Sequence, residues 1–306
     1  MKTALITGAT GFIGRYLVRR FSELGWAVVG IGTRPIEIFP KEHLVSYSQL
    51  VLPSSELASI VNEFQPEVCI HCAGRASVPF SVEDPQADFI SSLDATFNLL
   101  DTLRLYAPQC RLVYLSSAAV YGNPNLLPIC ETHPTSPISP YGFHKYMCEQ
   151  LCMEFFKIYG LPTAIVRIFS AYGPGLRKQV LWDACRKALT QPALRLAGTG
   201  NESRDFIHVR DVVKAINLIV EKADFQAEIY NLASGIETEI GALGELIVSY
   251  LEKPIPIEFD NESVVANPAN WQADISRISR LGFIPETSLE KGTLIYFQWC
   301  RAELIG

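Results

Sequence analysis

The sequence predicts an α/β fold: a doubly wound parallel sheet carrying a smaller, discontinuous α/β lobe. Two observations lead there. Through the first half of the chain, short apolar runs alternate with longer amphipathic stretches, the pattern of a parallel sheet covered on both faces by helices. The first of these runs also leads straight into a glycine-rich turn, Gly8-Ala9-Thr10-Gly11-Phe12-Ile13-Gly14, which an amphipathic helix follows at once.

Taken in order, strands are predicted at Thr3–Thr7, Ala27–Ile31, Val68–His71, Arg111–Leu115 and Thr163–Ile168. Helices are predicted between them at Phe12–Leu24, Ser54–Phe64, Ala87–Tyr106 and Tyr141–Tyr159, the last starting just after Pro140 and stopping before Gly160. Beyond Tyr172-Gly173-Pro174-Gly175 the alternation fades. A helix near Gln179–Leu189 precedes a strand at Asp205–Val209, expected to re-enter the sheet, and a further strand at Glu228–Leu232. A helix over Glu239–Leu251, a strand at Ile255–Phe259 and C-terminal helices complete the chain. Residues 1–168 with 206–233 are expected to form a dinucleotide-binding domain, and 169–205 with 234–306 a substrate-binding lobe, with the substrate between them.

Composition narrows the function classes. The chain has 306 residues, 48% hydrophobic, enough for a substantial core. A net charge of -6 without basic clusters argues against nucleic acid or an anionic membrane surface as partner. No run resembles a transmembrane span or a cleavable leader, so a cytoplasmic location is expected. The eight cysteines lie mostly within apolar segments and read as reduced core thiols. Cys69-Ile70-His71-Cys72 alone has redox or metal spacing, yet in a strand residues three apart point to opposite faces, so no metal site is expected.

The glycine-rich turn has the strand-turn-helix setting of Rossmann-type nucleotide sites. Gly8, Gly11 and Gly14 let the backbone turn and approach a pyrophosphate, whose charge the N–H groups at Phe12 and Ile13 and the helix N-terminus stabilise. At the end of the second strand, where an acidic residue would bind the adenosine ribose hydroxyls of NAD, the chain reads Gly32-Thr33-Arg34. Thr33 and Arg34 suit the extra phosphate of NADP, which a carboxylate would repel. NADP(H) is therefore the expected cofactor, with NAD(H) as the alternative.

A chemical centre is predicted farther along. The strand at Arg111–Leu115 delivers Ser116 and Ser117, and Tyr141-Gly142-Phe143-His144-Lys145 opens a helix, which puts Tyr141 and Lys145 on one face. An ammonium group beside a phenol favours the phenolate, so this pair can exchange protons with a sugar hydroxyl that Ser117 also holds.

On the Gly-x-x-Gly-x-x-Gly spacing, the Ser117 strand end, Tyr141 with Lys145, Arg167-Ile168-Phe169-Ser170-Ala171-Tyr172-Gly173-Pro174-Gly175 and Arg204-Asp205-Phe206-Ile207-His208-Val209, the chain resembles the extended short-chain dehydrogenase/reductase family over nearly its full length. That resemblance implies hydride transfer on the hexose of a nucleotide sugar. It makes Ser117, Tyr141 and Lys145 catalytic, gives Tyr141 and Lys145 a second role at the nicotinamide ribose, and places Ser77, Ser117, Ser170, Arg177 and Arg204 at the substrate, Arg204 on its pyrophosphate. It also implies a homodimer built on the helices that carry Asp94 and Tyr141.

Family relatives that dehydrate nucleotide sugars carry an acidic pair after the catalytic Ser or Thr, and GDP-fucose synthases carry a Cys there. Here Ala118 and Ala119 occupy those positions, which excludes both chemistries. Two enzyme readings remain: an NADPH-dependent reductase of a 4-keto-6-deoxy sugar nucleotide, preferred on Thr33-Arg34, and a 4-epimerase that retains NAD. A catalytically silent nucleotide sensor is the third, and the intact Ser117, Tyr141 and Lys145 speak against it. Ser170, Asp94 and Ser263 replace family Asn, Asn and Arg, and leave the nucleotide base open.

Overall fold

The computed structural model describes residues 2–35, 41–262 and 268–305. In chain order its elements are β1 (Thr3–Thr7), α1 (Phe12–Glu23), β2 (Ala27–Gly32), β3 (Ser46–Gln49), α2 (Glu56–Phe64), β4 (Val68–His71), α3 (Val78–Glu83) and α4 (Pro85–Phe89). They continue as α5 (Ala95–Tyr106), β5 (Arg111–Ser117), α6 (Pro140–Tyr159), β6 (Thr163–Ile168), β7 (Ser170–Tyr172), α7 (Gln179–Thr190), β8 (Leu194–Leu196) and β9 (Ser203–His208). The last are α8 (Val209–Lys222), β10 (Gln226–Leu232), β11 (Glu237–Glu239), α9 (Ile240–Val248), β12 (Ile257–Phe259), α10 (Ser276–Ser279) and α11 (Leu289–Leu304).

Seven strands form one sheet, in the order β10-β6-β5-β4-β1-β2-β3, and every pairing in it is parallel. The alternation of side chains along each strand divides its apolar residues between two cores. Ile6, Ile70, Val113 and Val166 face the core under α1 and α8, whereas Leu5, Cys69, Leu112 and Ile165 face the one under α2, α5 and α6. Cys69 and Cys72 accordingly pack on opposite sides of the sheet. Helix α1 fits its place because Gly14, Leu17, Val18 and Phe21 form one buried stripe at helical spacing.

The strand order reverses between β1 and β4, so the loops that leave their carboxyl ends diverge and open a crevice. The Gly8–Gly14 turn follows β1, Ala73–Ser77 follows β4, Ser117 ends β5 and Ser170 follows β6. Strand periodicity therefore delivers the expected site residues to one edge of the sheet.

Several expectations change. The segment expected to re-enter the sheet at Asp205–Val209 is β9, which instead forms a separate three-stranded sheet with β7 and β11. The chain returns to the large sheet only through α8 and β10. The single helix expected over Ala87–Tyr106 is α4, a π-helical turn at Ile90–Asp94 and then α5. Helices α3 and α8 and strands β3, β7, β8 and β11 went unpredicted. The smaller lobe packs α7, α9 and α11 around Leu181, Leu194, Leu243, Ile247, Tyr296 and Phe297, beside the parallel pair β8–β12. No helix among the described residues is long and apolar enough to cross a membrane.

Candidate active site

Helix α6 carries Tyr141 and Lys145, two of the three residues expected at the chemical centre, and its N-terminus is fixed from several directions. Pro140 occupies the first turn, Ser139 Oγ caps the helix by accepting from Gly142 N at 3.2 Å, and the Tyr141 backbone N–H donates to Ser81 Oγ of α3 at 3.0 Å. A 3₁₀ turn, Ala118–Tyr121, follows β5. It meets α6 at Gly142, where an added Cβ would lie only 2.6 Å from the Ala119 carbonyl oxygen. The missing side chain lets the end of β5 lie against the first turn of α6, which brings Ser117 to Tyr141. Ser117 caps the 3₁₀ turn, its Oγ accepting from Ala119 N at 3.2 Å.

One turn on, Lys145 Nζ donates to the Leu115 carbonyl at 2.9 Å and lies 6.0 Å from the centroid of the Tyr141 ring. Tyr141 and Lys145 are each 8% exposed. Lys145 Nζ thus lies near the Tyr141 ring with both residues largely shielded from water, and Ser117 ends β5, two residues beyond the Leu115 carbonyl that anchors Lys145. Ala118 and Ala119 are buried here and offer no proton carrier.

Below this centre a buried network ties α6 to the sheet. Glu149 accepts from Arg167 Nη2 at 2.7 Å and from Ser116 Oγ at 2.5 Å, joining α6 to β6 and β5. The Glu149 carboxylate holds the Arg167 charge firmly in spite of burial.

The Gly-rich turn fits a dinucleotide. Gly8 has φ +67, and a Cβ there would fall 2.8 Å from the Cys72 and Ala73 backbone; a Cβ on Gly14 would fall 2.1 Å from the Gly8 oxygen. No side chain caps α1 at Gly11, so the N–H groups of its first turn stay available for an anion. At the ribose end, a Cβ on Gly32 would meet Thr10 Oγ1 at 2.6 Å and Tyr47 Oη at 2.8 Å. The place an acidic side chain would need is therefore already taken. Tyr47 donates to the Arg34 carbonyl and Gln49 to that of Thr33 at 3.3 Å, which pins the loop carrying both residues.

The remaining expected residues spread out. Ser77 caps α3 through a bond from Phe80 N. Ser170 opens β7, half-buried. Arg204 donates to the carbonyls of Ser203 and Ala269 and lies over the Trp271 ring, in the smaller lobe. Arg177, expected at the substrate, turns instead to Glu303 and Trp299 of α11. Ser263 lies outside the described residues, and Asp94 is exposed at the end of the π turn. Among the described residues no group of His, Cys, Asp and Glu could hold a metal ion. Sequence reading passed over Arg15, which follows Gly14 directly and lines the same cavity as Arg34; its only sequence signal was a cation in the first helical turn.

The model of the NAD dependent epimerase/dehydratase family matches residues 4–233. The chain belongs to that family. It is an enzyme of that family, and full-length likeness supports the match. A putative UDP-glucose 4-epimerase of Methanocaldococcus jannaschii is 32% identical, covering 97% of this chain and 98% of its own. A GDP-6-deoxy-D-mannose reductase of Pseudomonas aeruginosa is 30% identical over 83% of this chain and 82% of its own. Among solved structures, MoeE5 in complex with UDP-glucose and NAD superposes with a TM-score of 0.90 at 26% identity, covering 99% of both chains.

Proposed function

We propose that the chain is an NADP(H)-dependent oxidoreductase that reduces the 4-keto group of a nucleotide-bound 6-deoxyhexose. The ribose end of the cofactor site carries this reading. Thr10 and Tyr47 fill the space beside Gly32 that an acidic side chain would use, and Arg34 stands just beyond, an arrangement suited to a phosphorylated ribose. A reductase has to exchange spent cofactor, and NADPH is the usual reductant for that task. When bound, the nicotinamide supplies the hydride.

The protein supplies orientation and protons. Ser117 Oγ and Tyr141 Oη hold the reacting sugar oxygen, and Tyr141 delivers the proton that turns the developing alkoxide into a hydroxyl. Lys145, anchored by the Leu115 carbonyl, sits beside the phenol and has donors left for the nicotinamide ribose. Ala118 and Ala119 offer no group to move a proton at neighbouring carbons, which keeps the chemistry to one centre. Arg204, desolvated beside Trp271, serves the diphosphate of the substrate.

A 4-epimerase with retained NAD is the second reading, and likeness to the putative UDP-glucose 4-epimerase of Methanocaldococcus jannaschii favours it. The same Ser117-Tyr141-Lys145 centre would serve, working once in each direction. Purification without added cofactor, mass spectrometry of any retained nucleotide and separate titration with NADPH and NADH decide between them. Loose binding selective for NADPH supports the reductase; tightly retained NAD overturns it in favour of the epimerase.

We also propose a homodimer. Phe89, Ile90, Phe97, Phe143 and Met147 are exposed apolar side chains on or beside α4, α5 and α6, and a second copy of the same helices would cover them.

A further inference from the structure

A cavity of about 410 Å³ adjoins the ribose end of the cofactor site, reaching from Thr10 and Arg34 past Arg15 and Arg177 to Trp299 and Glu303 of α11. Three of its cations come from separate elements: Arg15 from the first turn of α1, Arg34 from the loop after β2, Arg177 from the loop before α7; Arg19, which also lines it, pairs with Glu23, and His43 completes the basic lining. The fold makes room for Arg15. At Gly175, whose φ is +94, an added Cβ would sit 1.4 Å from Arg15 Nη2, so this guanidinium takes the place of a side chain there. The loop that carries Gly175 is held to α1 by Tyr16 Oη donating to the Pro174 carbonyl at 2.9 Å.

The cations are poorly compensated. Arg15 Nε is buried without a hydrogen-bond partner. Burial first, and then the charges of Arg177 and Arg34, weaken proton binding by Arg15, while Tyr16 and Glu303 act the other way. Glu303 already pairs with Arg177. Arg15 is thus repelled by both other guanidiniums, and a doubly charged anion beside it would offset the repulsion and satisfy the buried donor.

We infer that Arg15 and Arg177 join Arg34 as the binding site for the 2′-phosphate on the adenosine ribose of NADP(H), with Glu303 of α11 holding Arg177 and so setting how tightly that phosphate is gripped. The inference rests on the NADP(H) reading above. It adds that the C-terminal helix, at the far end of the chain, takes part in choosing the cofactor.

Calorimetric titration of the full-length protein with adenosine 2′,5′-bisphosphate and with adenosine 5′-monophosphate tests it without reference to turnover. Wild type is expected to bind the bisphosphate at least about tenfold more tightly. Arg15→Ala and Arg177→Ala are each expected to remove most of that preference while leaving the monophosphate affinity within about twofold, and Arg15→Lys to restore part of it. Glu303→Gln is expected to strengthen bisphosphate binding alone. Equal binding of the two ligands by wild type overturns the NADP(H) reading and this site with it. A preference that survives Arg15→Ala and Arg177→Ala but vanishes in Arg34→Ala keeps the NADP(H) reading and overturns the site. Equal loss of both ligands in Arg15→Ala, with Arg177→Ala unchanged from wild type, also overturns it, since Arg15 would then serve the loop alone.

Discussion

Tyr141 is the proton donor of the proposed reaction, and removing one oxygen tests that role. Tyr141→Phe keeps the ring packed above Lys145 and takes away the proton. Turnover should fall by about 10²–10⁴-fold with cofactor affinity within about twofold of wild type, measured by steady-state kinetics beside a binding titration. Turnover equal to wild type would remove Tyr141 from its role. His71 makes a different prediction. Thr96 Oγ1 donates to the Ser92 carbonyl at 2.6 Å and so accepts from His71 Nε2 at 3.2 Å, which leaves Nδ1, 2.6 Å from Thr7 Oγ1, to accept. Burial, and after it the Lys145 charge, lowers this imidazole from 6.5 to about 3. The unfolded imidazole takes up a proton below its ordinary value and the folded one does not, so stability falls as pH drops through that window, by about 1.4 kcal/mol per pH unit. Denaturant unfolding at about pH 6.5 and about pH 5 should differ by roughly 2 kcal/mol from this group. His208, lowered by burial to about 4, slopes the same way, so the test is the smaller difference expected in His71→Gln. At this scale Ser117, Tyr141, Lys145 and the glycines were legible, because each is a residue type its task demands. Arg15 was not, since its partners Gly175 and Arg177 are distant in the chain and only folding brings them near.

The first turn of α6 concentrates several constraints in four residues. Ser139→Ala removes its cap and should cost about 1 kcal/mol in unfolding free energy, with the helix otherwise retained. A larger fall in turnover than in stability would show that the cap also aims Tyr141. Most of the long strands and helices were legible from periodicity because each buries a continuous stripe or an alternating face, although α8, which follows β9 without a break, went unpredicted. Strand β3 was not: Ser46-Tyr47-Ser48-Gln49 is short, polar and at the sheet edge, where pairing with β2 alone suffices and no apolar alternation is required. The π turn escaped for another reason. One residue extra in a turn leaves the apolar spacing on either side intact, and only the rotation between them changes. For β9 the strand was legible and its sheet was not, because a short apolar run carries no information on which edge it will meet.

At the scale of the molecule, the sheet's order reverses between β1 and β4, the kind of place where open parallel sheets bind ligands; the sequence led to a substrate between two lobes and said nothing of this reversal. The assembly prediction belongs here too. Phe97 is 49% exposed and Phe143 47%, and replacing both by Glu should give a folded monomer by light scattering if α5 and α6 bury them against a second copy. Wild type that is already monomeric would overturn the dimer. Glu149→Ala should be more damaging, at about 3–5 kcal/mol, because it strands the buried Arg167 charge that ties α6 to the sheet; thermal melts beside wild type would measure it.

The place of β10 has a consequence for how the chain is made. Strand β6 leaves the ribosome early, yet its outer neighbour is separated from it by everything from Phe169 to Phe225. Until that stretch has been synthesised and has folded back, β6 is a bare edge, its backbone N–H and C=O groups unpaired and its side chains largely apolar, open to pairing with another nascent chain. Parallel partners so far apart form slowly, since their loop must close before any contact rewards it. The step that completes the sheet is therefore also the step at which a growing chain is most exposed to aggregation.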